Sequence, residues 1–335
     1  MTQASALPPA AFYCVCDERY FLGAVGMLNS VRLLGHTEPV FVLDCGLTAH
    51  QRGLLEPHAT VVPAPREAPP WLLKTVAPLR HPAEVMVLID ADIVVTRSLA
   101  ELVERAREPR VIAIENDTDR FVPEWGELLG LGEVRRQPYV SSGLAFLGDP
   151  LGERVLRLMG ELQDRVDFDH TFWRGNDPDY PFLYGDQDVF NAILASRIEA
   201  ERLTALPNRL APNPPFKGLR VIDEATLRCA HRDGTEPYVL HNFYRKPWLA
   251  RTRSNPYSRL LTRLLLGEDV ALRLDRSEIS LRLRTGLAAA CARVAVDLAI
   301  GIPAYVHRRV KPGPRGSRGW ADEHWLAQER GRGAP

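Results

Sequence analysis

One short stretch constrains this chain more than any other: Val85-Met86-Val87-Leu88-Ile89, an unbroken apolar run that ends in Asp90-Ala91-Asp92 and resumes as Ile93-Val94-Val95. Five consecutive apolar residues, mostly Val and Ile or Leu, read as a strand buried on both faces, and such strands belong to parallel sheets covered by helices. The aspartates then stand at the strand's carboxyl end, where open α/β sheets bind ligands. Spaced by one residue on an extended chain, the two carboxylates are expected on the same side. Two like charges held so close call for a cation.

The neighbouring segments support an α/β fold. Ala11 to Cys16 is a buried strand candidate. Phe21, Val25, Leu28 and Val31 recur at helical spacing after it, and Val40 to Asp44 is again an apolar run capped by an acid. Strand, helix, strand of this length predicts a right-handed βαβ unit. Further along, the pattern predicts helices at Ala49 to Leu55, Trp71 to Leu79, Leu99 to Arg107 and Leu151 to Val166. It predicts strands at Thr60 to Val62, Arg110 to Glu115 and Tyr139 to Leu147. The last of these is interrupted by Ser141-Ser142-Gly143, small residues that admit close approach of a backbone or ligand. Gly185-Asp186-Gln187-Asp188 opens a helix, and Tyr238 to His241 is a short strand ending in a histidine before Lys246-Pro247-Trp248. The aromatic and acidic stretch from Asp167 to Tyr184 reads equally as a substrate-facing loop or an ordinary surface loop.

At 335 residues, with 45% hydrophobic and 25% charged residues, the chain has material for a large core and the balance of a soluble globular protein. The formal charge is zero, but from Arg251 onward 16 Lys and Arg stand against 8 Asp and Glu, so a basic end balances an acidic body. Five scattered cysteines without a CxxC pair give neither a zinc site nor a disulfide framework. With no signal peptide at the start, a reducing cytoplasm is expected, and the Asn116-Asp117-Thr118 sequon is read as chance.

Each motif alone is commonplace; their order is not. An Asp-Ala-Asp strand end, a small-residue strand, Asp-Gln-Asp opening a helix, and His before Lys-Pro-Trp together resemble the retaining glycosyltransferases of family 8, over about Phe12 to Trp248. That resemblance implies a GT-A, Rossmann-like fold: a mixed, mainly parallel sheet flanked by helices, with a C-terminal helical extension. It implies transfer of a hexose from a nucleotide-diphosphate sugar, usually a UDP-sugar, to a glycan or lipid-linked acceptor. Asp90, Asp92 and His241 match the family's metal ligands, for manganese with magnesium as the alternative. Lys246 matches the lysine on the leaving diphosphate. Asp17 and Tyr20 match the nucleobase contacts, while Lys74, Ser141 and Ser142 fall where donor contacts lie; packing of Tyr20 against the adjacent helix and a solvated helix position for Lys74 stay open beside those readings. Asp186, Gln187 and Asp188 match the run at the reacting carbon, Gln187 stabilising positive charge and the two acids holding sugar hydroxyls. Double displacement and front-side attack stay equally open. Two departures stand out: Ser141 replaces the family's usual Asn, and Tyr244 replaces a usual Gly in a shortened His-to-Lys turn.

The expected organisation is a lead-in over 1–10, a catalytic domain over 11–250, a helical extension over 251–311 and a flexible tail over 312–335. Ser280 to Ile300 is expected to be one helix with Arg282, Arg293 and Asp297 on one face. The charges argue against a membrane span. Packing on the main domain and lying in an anionic membrane interface both remain open, the latter supported by the basic run from His307 to Lys311. Some family members that extend lipid-linked glycans carry such a tail, which would place the protein on the cytoplasmic face of the plasma membrane.

Two rival readings use the same residues. A haloacid-dehalogenase-type phosphatase would make Asp90 a phosphorylated nucleophile and Asp92 a general acid, although its acidic strand ordinarily comes first in the chain. A non-catalytic sugar-binding protein would keep the fold without turnover. Nucleic-acid binding has little support, since the basic end lacks interleaved stacking motifs beyond Trp320 and Trp325.

Overall fold

The computed structural model describes residues 7–310. The expected tail over 312–335, with Trp320 and Trp325, lies outside the described residues, as do the side chains of the basic run near its end.

The chain begins with β1 (Ala11–Cys16), α1 (Phe21–Leu33), β2 (Val40–Asp44), α2 (Ala49–Leu55) and β3 (Thr60–Pro63). A 3-10 turn at Pro70–Leu73 leads to α3 (Val76–Arg80), β4 (Val85–Ile89), β5 (Ile93–Val95) and α4 (Ala100–Ala106). Then come β6 (Val111–Glu115), α5 (Trp125–Leu128), β7 (Val140–Gly148), α6 (Leu151–Leu162) and α7 (Asp186–Arg197). The remainder holds β8 (Leu203–Leu206), β9 (Leu219–Asp223), β10 (Arg228–His231), β11 (Val239–His241), α8 (Pro256–Leu266) and α9 (Leu287–Val310).

Seven strands form one sheet in the order β3-β2-β1-β4-β7-β6-β8. All run parallel except β7, which is antiparallel to both β4 and β6. The apolar run is therefore central, as expected, but one of its two neighbours is antiparallel. Val85, Val87 and Ile89 face a core shared with α1, α4 and α8, while Met86 and Leu88 face a second core shared with α6 and α7. Period-two alternation with no polar face is why the run carries no polar residue until Asp90.

Three expectations are corrected. Asp90 and Asp92 do not lie on an extended chain: β4 stops at Ile89, the Ile93 N–H donates to the Asp90 carbonyl at 3.1 Å, and a tight turn carries both acids. The helix expected from Trp71 to Leu79 is two pieces, with Lys74 in the link between them. The helix expected from Ser280 is broken by Gly286 at φ +99°, a conformation open to residues without a Cβ, so Arg282 is not on α9.

β5 is tied in from both sides. It pairs with β11 in a separate two-stranded sheet, and its Val95 N–H donates to Ser30 Oγ on α1 at 2.9 Å. The adjacent α1 residue, Asn29, is buried and donates to the carbonyls of Leu264 and Leu272 while accepting from the Leu272 N–H, each at 2.8 Å. One turn of α1 thus supplies the polar partners that fix both the acidic turn and α8, satisfying buried backbone groups that would otherwise be orphaned.

Candidate active site

The β11–β5 register sets His241 opposite Ile93, one residue from Asp92. One ligand atom from each of Asp90, Asp92 and His241 lies within 4.8 Å of the others. On the far side, the Asp90 N–H donates to the Gly143 carbonyl of β7 at 2.8 Å. A Cβ on Gly143 would stand 2.6 Å from His241 Cε1 and 2.9 Å from Asp90 Oδ2, so only glycine leaves the triad its space. Ser141 Oγ accepts from the Gly143 N–H at 3.1 Å, holding this stretch of β7 in place.

Lysines already engage these acids. Lys74, nearly buried, bridges Asp90 Oδ1 at 2.9 Å and Asp186 Oδ2 at 3.0 Å, with Ser142 Oγ at 3.5 Å. Burial alone would lower its ammonium, but Asp186 and Asp90 raise it above its usual range. It is thus not the solvated helix lysine that its surroundings in the sequence allowed. Lys246 is bonded to Asp92 Oδ2 and to the Asn242 carbonyl. Burial would raise the Asp92 carboxyl; Lys246 and His241 override it and hold it well below the ordinary carboxylate range. Asp90 moves the other way, pushed up by burial against the pull of Lys74, with Asp92 adding to the rise.

Asp92 Oδ1 and His241 Nε2 are both buried without a hydrogen-bond partner, although they lie 3.3 Å apart. Orphaned buried polar atoms are costly. Two facing each other, with a second carboxylate beside them, form a donor set that fits a divalent cation.

At the first strand's end, Asp17 accepts from the Tyr20 N–H at 2.9 Å and caps the 3-10 turn Glu18–Tyr20. Tyr20 meets Trp248 edge-on at 6.2 Å between ring centroids, and the Lys246 ammonium stands 5.5 Å from its ring centre. Trp248 Nε1 donates to the Arg19 carbonyl at 2.7 Å. The Lys-Pro-Trp segment therefore straps the β1–α1 corner to the acidic turn.

At α7, Ser142 Oγ donates to Asp186 Oδ2 at 2.8 Å, and the Ser142 N–H approaches Gln187 Oε1 at 3.4 Å. Asp188, expected to hold a sugar hydroxyl, is instead fully buried with both oxygens engaged by Arg120, Tyr139 and the Tyr184 N–H, so it is not open to a ligand. The Asp90-Asp92-His241 triad, the lysines, Ser142 and the Asp186-Gln187 pair thus form one connected polar cluster. Arg120 and Tyr139 escaped the sequence reading: Arg120 sits in a loop without periodicity, and Tyr139 looks like any strand residue.

No protein-family model matches the chain, and no curated protein matches it. Among solved structures, the chain is similar to the apo form of WbbM, a bifunctional glycosyltransferase, at 14% identity over 81% of this chain and 51% of that one, with a TM-score of 0.50. It thus spans about half the length of WbbM. An active-site mutant of LgtC is similar at 13% identity over 80% of this chain and 98% of that one, with a TM-score of 0.51. The chain has the GT-A fold of these glycosyltransferases: a mixed, mostly parallel Rossmann-like sheet flanked by helices, with a C-terminal helix.

Proposed function

We propose that this chain is a metal-dependent retaining glycosyltransferase of the family 8 type, moving a hexose from a UDP-sugar to a glycan or lipid-linked acceptor. The observation that carries this reading is the meeting of Asp90, Asp92 and His241 within 4.8 Å, beside two lysines, at the carboxyl edge of a GT-A sheet. Residues 11–250 supply the catalytic groups, and 251–311 form the extension.

Asp90, Asp92 and His241 would hold the cation, and two hard carboxylates with one imidazole suit manganese. What the ion supplies when bound is Lewis-acid stabilisation of a departing diphosphate. Lys246, buried beside Asp92, adds fixed positive charge to that leaving group. Tyr20, braced by Trp248, offers a face for the nucleobase, and Asp17 shapes the turn that presents it. Lys74, held by Asp90 and Asp186, orients the donor together with Ser141 and Ser142. Gln187 turns its carbonyl oxygen to the carbon that gathers positive charge, while Asp186 receives sugar hydroxyls and Asp188 braces the cluster.

The phosphatase reading fits less well, because its acidic strand would come first in the chain, whereas here three strands precede β4. The test is a thermal-shift panel of UDP-sugars with and without manganese, followed by measurement of UDP release. Joint stabilisation by UDP-sugar and manganese, with turnover abolished in Asp92→Asn, is the expected result. Binding without turnover would favour the non-catalytic reading, and p-nitrophenyl phosphate hydrolysis the phosphatase.

A lipid-linked acceptor would bring this chain to a membrane surface. No helix among the described residues is long and apolar enough to cross one. On α9, however, Leu287, Val294 and Leu298 are exposed by 82%, 57% and 54%, presenting an apolar face outward. With Arg308, Arg309, Lys311, Arg315 and Arg318 following in the sequence, that face suits an anionic lipid surface on the cytoplasmic side.

A further inference from the structure

Asp188 has no exposed surface. Arg120 Nε donates to its Oδ1 at 3.0 Å, the Tyr139 hydroxyl to the same oxygen at 2.6 Å, and the Tyr184 N–H to Oδ2 at 2.8 Å. Burial pushes its carboxyl up to about 6, restrained by Arg120, Tyr139 and the Tyr184 N–H, so near neutral pH it is a carboxylate. Burial and Asp188 together push the Tyr139 phenol well above its usual range, so Tyr139 keeps its proton.

The directions of the remaining hydrogen bonds follow from counting protons. A carboxylate has none to give, so the proton in the 2.6 Å contact belongs to Tyr139. A phenol has only one. The other contact of Tyr139, 3.0 Å to Gln187 Nε2, therefore has the amide donating and the phenol oxygen accepting. A reversed amide would set its carbonyl oxygen against the phenol oxygen with no proton between them. Gln187 Oε1 must then face away from Tyr139 toward Ser142, on the strand that also meets Asp90, where the Ser142 N–H reaches it only at 3.4 Å. Asn191 locks the register: its amide donates to the carbonyls of Val140 and Gln187, and its oxygen accepts from the Val140 N–H, all between 2.7 and 2.8 Å.

We infer that Tyr139 and Asp188, with Arg120 behind them, are positioning residues that fix the Gln187 amide with its carbonyl oxygen toward the reacting sugar carbon. The inference rests on the transferase reading and deepens it. A 3.4 Å contact leaves Oε1 underused by the protein, as a group reserved for developing positive charge requires. A polarised relay costs nothing to reorganise when that charge appears.

The test is a double-mutant cycle on UDP release from UDP-glucose and UDP-galactose in manganese, with thermal midpoints verifying that each variant is folded. Tyr139→Phe frees the amide to turn, and should lower kcat roughly tenfold to a hundredfold with donor KM nearly unchanged. In a Gln187→Ala background the same substitution should change kcat by less than about twofold, since no amide remains to orient. Asp188→Ala provides a second cycle: it removes the acceptor of the Tyr139 proton, which is then free to turn toward Gln187 and reverse the amide. It should match Tyr139→Phe and likewise fall silent without Gln187. Equal losses in both backgrounds, or an unchanged kcat, overturn the positioning role while leaving the transferase reading intact. A folded wild-type chain that releases no UDP from either donor removes the transferase reading, and this inference with it.

Discussion

Asp92 Oδ1 and His241 Nε2 face each other across 3.3 Å, both buried and neither hydrogen-bonded. The pairing of β5 with β11 brings them together from positions nearly 150 residues apart in the chain, and Lys246 takes the other Asp92 oxygen. A strand pairing maintained to leave two polar atoms unmatched is economical only if something else completes them. Manganese at a hundred times its dissociation constant should therefore stabilise the protein by about 2.7 kcal/mol. Asp92→Asn and His241→Ala should each abolish that gain. Thermal unfolding with and without a chelator checks it, and an undiminished manganese shift in both variants would remove the assigned ligands.

Gly143→Ala makes a sharper probe, because it alters no ligand. The added methyl would press within 2.6 Å of His241 Cε1 and 2.9 Å of Asp90 Oδ2, so imidazole and carboxylate must separate. The central sheet can keep its hydrogen bonds, since β7 remains a strand. The expected outcome is a cooperative fold by circular dichroism with at least about tenfold weaker manganese binding by calorimetry, equivalent to 1.4 kcal/mol. Wild-type affinity would show that the triad's spacing does not depend on this residue.

Lys74→Met removes the cation between Asp90 and Asp186 while preserving most of the side-chain volume. Breaking a buried ion pair from one side leaves uncompensated charge, at a typical cost of about 3–5 kcal/mol. Lys74 serves two acids, 2.9 and 3.0 Å away, so the loss should lie within that range in metal-free protein. Manganese, replacing the missing positive charge near Asp90, should restore part of it. Urea unfolding at both metal conditions reads the difference, and a loss independent of manganese would separate the lysine from the metal site.

The Asp188 carboxyl gives a pH dependence with a definite sign. Burial raises it from 3.8 to about 6, against the pull of Arg120, Tyr139 and the Tyr184 N–H. A carboxyl raised in the folded state contributes stability fully present below its unfolded value and lost as pH rises through its folded one. Wild type should therefore lose up to about 3 kcal/mol from this group between pH 4 and pH 7, and Asp188→Asn should not. The stability difference between them, taken from urea curves across that interval, should shift toward the variant as pH rises. A difference independent of pH would place the titration elsewhere.

How much of this was readable beforehand differs element by element. The β4 run announced itself because a strand buried on both faces admits no polar residue until it ends, and the acids then mark that end. The direction of β7 did not, since buried strands of either polarity share one composition. Lys74 was ambiguous because whether a lysine is solvated or bridges two acids depends on how the chain around it folds, and that helix broke just there. Arg120 left no trace: it reaches Asp188 across 68 residues from a loop without periodicity. Gly143 was visible as a small residue on a strand, but its reason, a histidine from a distant strand, exists only in the folded chain.

The final prediction concerns α9, whose polarity is inverted relative to a helix packed on a core. Arg293 donates to the carbonyls of Arg282 and Arg284 at 3.1 and 2.8 Å, and Asp297 accepts from the Ser254 N–H at 2.8 Å, so the charged residues secure the helix to the body. Leu287, Val294 and Leu298 consequently face outward. Burying such side chains in a lipid interface returns on the order of 1.5–3 kcal/mol each at full burial. Val294→Asp with Leu298→Asp should weaken co-sedimentation with phosphatidylglycerol-containing vesicles by at least about tenfold, by that arithmetic and by like-charge repulsion. Exposed positions contribute little to folding, so the thermal midpoint should hold. Binding to uncharged phosphatidylcholine vesicles should be weak for wild type, because the basic residues that follow α9 lack their counter-charge there. Vesicle binding indifferent to both substitutions would show that α9 does not form the lipid contact, and an unfolded double variant would show that this face is needed inside the molecule rather than outside it.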